Sequence, residues 1–332
     1  MSWLHLRRLS KRRTGLLVSD STASLLRNFT GTLHRKNPPV KTLVSFGGGS
    51  SDPKLFARMA SSKGSRNIFI DSAIEVARTY GFDGMDLDWE FPKNPEEMAG
   101  LGQLFKEWRV AIKNEAKSTH RSPLFLTAAV YFSVDFQWNG IYRKYPVESI
   151  AKSLDWVNAM CFDYRGSWDT SATGAHAALY DPNSNISTSY GLTSWVRAGV
   201  PGNMVVNGIG APATAVGPGD DGVLIFSEVE KFNRENGAAV VYDAKTVSTY
   251  SHAGKSWIGY DDSQSTTVKL EFAQAHGLRA MIVSGKSRDK LQGHGSLGKM
   301  AWTILVPSRR LRDLELKQRS KTSFYLCPEI ID

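Results

Sequence analysis

Short apolar runs alternate with longer amphipathic segments through the first half of the chain. The short runs have the length and composition of buried strands, and the longer segments repeat apolar positions at helical spacing. The predicted strands are Thr42–Phe46, Gly84–Trp89, Leu124–Tyr131 and Trp156–Phe162. The predicted helices include Ser65–Tyr80, Pro95–Ala116 and Val147–Ser153. This order is typical of βαβ units and predicts a parallel sheet in an α/β fold.

The second predicted strand carries an unusual set of acidic residues. Successive side chains of a strand point to opposite faces and advance about 3.3 Å each. Asp86, Asp88 and Glu90 therefore share one face, while Met85, Leu87 and Trp89 share the other. We expect Trp89 to pack against a helix rather than to contact a ligand, because it points away from the carboxylates.

Closely spaced carboxylates on one sheltered face predict acid–base chemistry. They cannot all ionise cheaply, so at least one pKa should rise, and such a group can act as a general acid near neutral pH. Two alternatives are a solvated edge strand and a calcium site, since clustered Asp and Glu also suit hard cations. The run lacks the Gly and Asn loop chemistry that would supply carbonyl ligands, which disfavours calcium.

Polar residues lie at the C-terminal end of each predicted strand. Ser45, Glu90, Tyr131 and Asp163 occupy these ends and would converge in a TIM barrel, where active sites gather at that face. Trp138 and Trp168 follow two of the strands, where their rings could stack on sugars or simply pack against loops.

The length of 332 residues, with 41% hydrophobic content, suits one barrel with an insertion. We assign residues 21–207 and 263–285 to the barrel, and residues 208–262, which begin with a Gly/Pro/Ala-rich stretch, to a small α+β insertion. Residues 1–20 and 286–332 are basic and atypical ends.

The net charge of +9 resides mainly in these ends. Residues 1–13 hold five Lys or Arg and no acid, and residues 307–321 hold six against Asp313 and Glu315. Without a motif or interleaved aromatics, such runs do not favour nucleic-acid binding.

The sequence features that indicate a cellular compartment disagree with one another. Asn28 and Asn185 begin glycosylation sequons, whereas residues 1–13 lack the apolar core of a secretory signal peptide. No segment is long and apolar enough to predict a membrane span. Cys161 and Cys327 could form one disulfide, although Cys161 lies in a predicted core strand, where a free thiol is commoner.

The pattern Asp83-x-x-Asp86-x-Asp88-x-Glu90 resembles the signature of glycoside hydrolase family 18. Three further segments agree with that family in order, and the likeness is to plant class V chitinases and related chitinase-like lectins. These segments are Lys41-Thr-Leu-Val-Ser-Phe-Gly-Gly-Gly49, Leu126-Thr-Ala-Ala-Val-Tyr-Phe132 and Trp156-Val-Asn-Ala-Met-Cys-Phe-Asp-Tyr164. The resemblance covers about Ser21 to Arg279 and implies a TIM (β/α)8 barrel with an insertion.

The resemblance also implies a substrate and a mechanism. A chitinase-like enzyme cleaves β-1,4-linked N-acetylglucosamine polymers by substrate-assisted retaining hydrolysis, without a cofactor or metal. Glu90 would be the general acid and base, Asp88 would bind the acetamide N–H, and Asp86 would share a proton with Asp88. The implied substrate contacts are Tyr131, Met160, Asp163, Tyr164, Phe46 and Trp168, and the supporting residues are Asp83, Ser45, Gly47 and Gly48. The expected partners are chitin or N-acetylglucosamine oligosaccharides, and we expect an extracellular monomer.

Four departures from the family pattern predict an incomplete barrel and cleft. Nothing before Ser21 resembles the first two family strands. After Met204 the chain passes through Val205-Val206-Asn207 directly to the insertion, so we expect the seventh strand and its Tyr to be missing. Ser284 stands where the eighth strand normally ends in Trp, and Phe162 replaces a Tyr whose hydroxyl only Tyr164 could supply. The alternatives are therefore a chitin-binding lectin or receptor-type ectodomain that is weak or inactive in catalysis, and a nonfunctional fragment with exposed sheet edges.

Overall fold

A computed structural model describes the backbone of most of the chain. The described residues are 6–9, 13–16, 18, 20–37, 39–166, 168–169, 171–211, 213–216, 223–224, 226–286 and 301–307. Side chains are described for 18, 22–37, 39–166, 168–169, 171–208, 224 and 226–279. The chain divides into two compact units, one containing residues up to Asn158 together with 197–204, the other containing 159–196 and the residues from Val205 onward.

The first unit contains alternating strands and helices. Its strands are β1 (Leu6–Leu9), β2 (Arg13–Leu16), β3 (Leu43–Gly47), β4 (Gly84–Asp88), β5 (Phe125–Tyr131), β6 (Asp135–Trp138) and β7 (Ile141–Lys144), and β8 (Trp156–Met160) begins in it. Its helices are α1 (Asp20–His34), α2 (Pro53–Ala60), α3 (Lys63–Thr79), α4 (Pro95–Thr119) and α5 (Val147–Ser153). The predicted strands and helices of this region are present, with ends that differ by up to three residues.

Strands β3, β4 and β5 pair in parallel, which confirms the predicted parallel sheet. In this register Ser45 lies opposite Asp86, and Asp86 lies opposite Thr127. All five residues of β4 are buried. The register therefore brings polar side chains from three strands together on one buried face.

The opposite face of the sheet forms the core of the unit. Phe46 of β3 packs against Phe69 of α3 and Trp108 of α4, with ring centroids 5.8 and 6.3 Å apart. Burying each such side chain stabilises the fold by roughly 1.5–3 kcal/mol. This packing fixes which face of each strand points to the helices, and hence which face holds the acids.

One edge of β3 has no partner among the described strands. In that set β3 pairs only with β4, and β1 and β2 pair only with each other, as an antiparallel hairpin. Among the described strands, β3 is therefore an edge strand of the sheet.

The second unit contains the remaining elements. Its strands are β9 (Val205–Ala211), β10 (Ala213–Val216), β11 (Val223–Leu224), β12 (Ala239–Asp243), β13 (Ser248–Ala253), β14 (Ser256–Tyr260), β15 (Ala280–Lys286) and β16 (Ala301–Pro307). Its helices are α6 (Thr188–Arg197), α7 (Phe226–Asn236) and α8 (Ser263–Ala275). A 3-10 turn at Gly202–Met204 belongs to the first unit.

The structure corrects one expectation in this unit. Residues 205–211 form a strand, β9, that pairs in parallel with β15, so the strand predicted to be missing is present. It contains no tyrosine, and it extends to Ala211, beyond the position at which we placed the start of the insertion. The local sequence of β9 contains two glycines and does not predict a strand. Its pairing with β15, which is distant in the sequence, forms the strand.

Strands β10 to β14 form a five-stranded antiparallel sheet in the order β11-β10-β14-β13-β12. Val229 of α7 packs with Ile258 and Tyr260 of β14, and Leu224 and Phe232 lie against this cluster. Helix α8 follows directly and begins with a capping box between Asp262 and Ser265. No described helix is long and apolar enough to cross a membrane.

Candidate active site

Strand β4 and the residues just after it carry three acidic side chains that lie in one region. Asp86 and Asp88 are on the same face of the strand and are 2% and 6% exposed, and Glu90 follows just after the strand ends. The strand alternation that predicted a common face therefore places all three carboxyl groups in one row.

Asp86 accepts hydrogen bonds from three side chains. Its Oδ2 accepts from Ser45 Oγ at 2.7 Å, and its Oδ1 accepts from Thr127 Oγ1 at 2.6 Å and Asn158 Nδ2 at 3.0 Å. Burial raises the pKa of Asp86, and these three hydrogen bonds oppose the rise. Neutral donors thus hold this carboxylate without an ion pair.

Asp88 has a different environment. Its Oδ1 is buried and has no hydrogen-bond partner, and a hydrogen bond joins its carboxyl group to that of Glu90. Burial, then the negative charges of Glu90 and Asp86, raise the pKa of Asp88 well above its usual range. Because one of two hydrogen-bonded carboxyl groups must donate a proton, Asp88 and Glu90 share one.

The end of β3 closes over this row with glycines. Gly47 has φ +123°, and a Cβ there would lie 1.9 Å from the Asp88 carbonyl oxygen. The Gly48 N–H donates to that same oxygen at 2.8 Å. A Cβ on Gly49 would lie 3.3 Å from Glu90 Oε1. Only glycine permits this approach, which explains the Gly-Gly-Gly sequence after the strand.

Aromatic side chains surround the same region. Tyr131, at the end of β5, is half-buried and packs edge-on against Phe91 at 5.4 Å. Its backbone N–H donates to Tyr145 Oη at 3.0 Å. Burial raises the pKa of Tyr145, and the negative charges of Asp88 and Glu90 act in the same direction. Tyr145 is therefore a neighbour of the carboxylates.

Two predicted residues lie on the other side of the sheet. Phe46, predicted to contact substrate, has 0% exposure and belongs to the aromatic core with Phe69 and Trp108, so it offers no surface to a sugar. Trp89 stacks on Phe56 of α2 with centroids 6.0 Å apart, the packing that strand alternation predicted.

Asp83 lies outside the carboxylate row. It accepts from the Thr42 N–H at 2.8 Å and from Lys41 Nζ at 3.0 Å, and it pairs with His34 Nε2 at 2.8 Å. Burial disfavours its charge, but these contacts outweigh burial and lower its pKa. Asp83 ties α1 and the start of β3 to the start of β4.

Four other predicted residues belong to the second unit. Tyr164 Oη lies 3.2 Å from Thr188 Oγ1, and Asp163 has φ +56°. Met160 is half-buried, and Trp168 is 66% exposed and lies over Gly166. Cys161, beside them, is a free buried thiol whose pKa burial raises to about 12. Cys327 and the side chain of Ser284 lie outside the described part of the chain.

Three residues beside the carboxylates were not predicted from the sequence: Thr127, Asn158 and Tyr145. Asn158 is oriented by Trp156, whose Nε1–H donates to Asn158 Oδ1 at 2.9 Å and leaves Nδ2 toward Asp86. Thr127 and Asn158 are polar residues inside otherwise apolar strands, and this pattern could have predicted that they belong to the site. Tyr145 gave none, because it follows a hairpin that returns it to the site.

Comparison with known proteins agrees with this geometry. The sequence profile described as glycosyl hydrolases family 18 matches residues 9–283. Nod factor hydrolase protein 1 of Medicago truncatula is 46% identical over 301 residues, which cover 86% of this chain and 78% of that protein. The chain belongs to glycosyl hydrolase family 18.

Solved structures of the family share its fold. A mutant of the class V chitinase from Nicotiana tobaccum, in complex with NAG4, has a TM-score of 0.75 and 39% identity, covering 80% of this chain and 81% of that one. A chitinase-like agglutinin from Robinia pseudoacacia has a TM-score of 0.75 and 32% identity, covering 85% and 86%. The family resemblance, the TIM-barrel type of fold and the assignment as a glycosidase are confirmed.

No group of three or more His, Cys, Asp or Glu side chains in the described regions is arranged to hold a metal ion. The carboxyl groups of Asp88 and Glu90 are joined by a hydrogen bond, so this pair can hold and release a proton.

Proposed function

We propose that this protein hydrolyses β-1,4-linked N-acetylglucosamine polymers by the substrate-assisted retaining mechanism. The observation that carries the proposal is the buried Asp88, which shares a proton with Glu90 while Asp86 lies behind it in a cage of neutral donors. Related structures support the substrate class, since family members were solved in complex with NAG4 and with (GlcNAc)3.

In the first step Glu90 protonates the glycosidic oxygen, and the acetamide oxygen of the substrate attacks the anomeric carbon as the leaving sugar departs. The product is a cyclic oxazolinium ion with a positive charge. In the second step Glu90, now a carboxylate, takes a proton from the water that opens this ion and is restored as the acid. No protein atom becomes covalently attached to the sugar.

Asp88 orients the acetamide in this proposal. Its Oδ1 has no hydrogen-bond partner among the described residues and can accept the acetamide N–H, which turns the carbonyl oxygen toward the reacting carbon. The negative charges of Asp86 and Asp88 also stabilise the developing positive charge. Ser45, Gly47, Gly48 and Asp83 would act as supports, through the contacts described above.

We further propose that Tyr131, Met160, Asp163, Tyr164 and Trp168 contact the substrate. Phe46 is not included, because it is fully buried. We also propose that the protein acts as a monomer outside the cell.

The decisive experiment compares wild type with Glu90→Gln on chitin oligosaccharides. We expect turnover by wild type and a loss of at least about 100-fold in the variant, with unchanged oligosaccharide affinity. Glu75→Gln, an exposed carboxylate on α3, is the matched control and should remain fully active. Thermal melts of all three proteins confirm that each is folded. A folded wild-type protein without turnover would overturn the proposal.

The second candidate function is chitin binding without hydrolysis. The likeness to the Robinia pseudoacacia agglutinin favours it, and a free edge of β3 is compatible with an incomplete cleft. Calorimetric binding of chitin oligosaccharides by folded wild-type protein that shows no turnover would select this function.

A further inference from the structure

The second unit contains a buried ion pair that the proposed chemistry does not use. The side chain of Lys269 on α8 is 1% exposed and that of Asp261 is 5% exposed, and Nζ lies 2.5 Å from Oδ1. Lys269 Nζ also donates to the main-chain oxygen of Ala177 at 2.5 Å. Burying such a pair costs desolvation free energy, which the attraction between the two charges and the hydrogen bond to Ala177 oppose.

Ala177 connects this pair to the segment that carries Asp163 and Tyr164. The preceding residue, His176, accepts the Tyr164 N–H with its main-chain oxygen at 2.8 Å. Two consecutive carbonyl groups therefore accept hydrogen bonds from different elements: that of Ala177 from Lys269, and that of His176 from Tyr164. The His176–Ala177 segment cannot move without disturbing one of these bonds.

Asp163 requires such a support. Its φ of +56° lies in the left-handed region, which is unfavourable for a residue with a side chain. Strained residues of this kind persist only where their surroundings hold them. Tyr164, next in the chain, is held at its N–H by His176 and at its hydroxyl by Thr188.

The charges around His176 complete this support. Its ring is buried with both nitrogens unpaired, and burial lowers its pKa. The charged groups that act on it are Asp261, Lys269 and Asp163. Beside this buried ring, Lys269 is the positive charge that pairs with Asp261.

We propose that Lys269 is a positioning residue of the enzyme: through Ala177 and His176 it fixes Tyr164 and the strained Asp163 for contact with the sugar. The role in substrate contact rests on the proposed function. The ordering of the segment does not depend on it.

The test compares Lys269→Met with Arg66→Met. Arg66 is a matched control in the first unit: it is also buried, donates to a carboxylate, Glu107, at 2.7 Å and donates to a main-chain oxygen, that of Ala60, at 2.7 Å. Both variants should lose stability. Only Lys269→Met should speed hydrogen exchange at the Tyr164 amide beyond the general loss of stability, by about tenfold or more.

The kinetic arm measures KM and kcat for a chitin oligosaccharide. We expect Lys269→Met to raise KM roughly tenfold, the equivalent of one lost polar contact, with a smaller change in kcat. Arg66→Met should leave KM unchanged. Adding Asp261→Asn to Lys269→Met removes the unpaired charge, so the melting temperature should recover while KM stays raised.

Three outcomes overturn the proposal. The first is an equal rate of hydrogen exchange at the Tyr164 amide in Lys269→Met and Arg66→Met, and the second is an equal KM in these two variants. The third is a double variant in which KM returns to the wild-type value together with the melting temperature. If wild type is inactive but Lys269→Met still speeds hydrogen exchange at the Tyr164 amide, the proposed hydrolysis fails and the positioning role of Lys269 stands. The oligosaccharide dissociation constant then replaces KM as the measured quantity.

Discussion

Asp83 and Asp88 lie in the same run of residues, yet their environments are opposite. Asp83 is surrounded by Lys41, His34 and a main-chain N–H, and its pKa is lowered. Asp88 is buried beside Glu90 and Asp86, and its pKa is raised well above the usual range. One aspartate stabilises the fold as an anion, and the other holds a proton at some cost to stability. The motif therefore combines a structural acid with a reactive one.

The largest expected effect tests the reactive member. Asp88→Asn removes the group that orients the acetamide and shares the proton of Glu90, so kcat should fall by about 100- to 1000-fold. The melting temperature should not fall, since Asn cannot ionise in this buried position. Asp83→Asn is the control, with kcat near that of wild type. Equal losses of activity in the two variants would remove the distinction.

The structural member is tested by stability. Asp83→Asn loses its attraction to Lys41 and His34 but keeps an oxygen for the Thr42 N–H, so the free energy of unfolding should fall by about 1–2 kcal/mol. Urea unfolding measures this difference. An unchanged free energy of unfolding would show that these contacts contribute nothing to the fold.

The pH dependence of stability separates the two residues by sign. Asp83 has a lowered pKa in the folded state, so its contribution is present above the usual value of 3.8 and is lost as the pH falls below it. Asp88 has a raised pKa, so stability declines as the pH rises from 3.8 toward that pKa. Each slope is at most about 1.4 kcal/mol per pH unit.

Urea unfolding over a range of pH checks this prediction. Asp88→Asn should flatten the decline above pH 3.8, and Asp83→Asn should flatten the loss below it. Profiles parallel to that of wild type in both variants would contradict the assigned directions.

The smallest expected effect concerns Asn158. Asn158→Ala removes one of three donors to Asp86, so the pKa of Asp86 should rise further and its charge should act less on Asp88. We expect kcat to fall by several-fold, the effect of about one hydrogen bond, and the acid limb of its pH profile to move upward. Asn114→Ala, exposed on α4, is the control, and an equal change in both variants would exclude a role for Asn158.

The prediction from sequence was strongest where the chain pattern is local. Strand alternation separated Asp86, Asp88 and Glu90 from Trp89, and the helices and strands of residues 42–160 were located within three residues of their ends. It was weaker where packing decides. Phe46 lies one residue after Ser45, and only its burial against Phe69 and Trp108 shows that it faces the core rather than the site.

The sequence alone determined the parallel α/β arrangement, the common face of the three acids and the glycine turn beside them, because these follow from periodicity and the steric freedom of single residues. Only the tertiary structure decided what surrounds each acid. Thr127 and Asn158 reach Asp86 from 41 and 72 residues away, and Lys269 reaches Ala177 across 92. Such contacts depend on strand register and helix packing, which arise from the whole core and leave no local pattern.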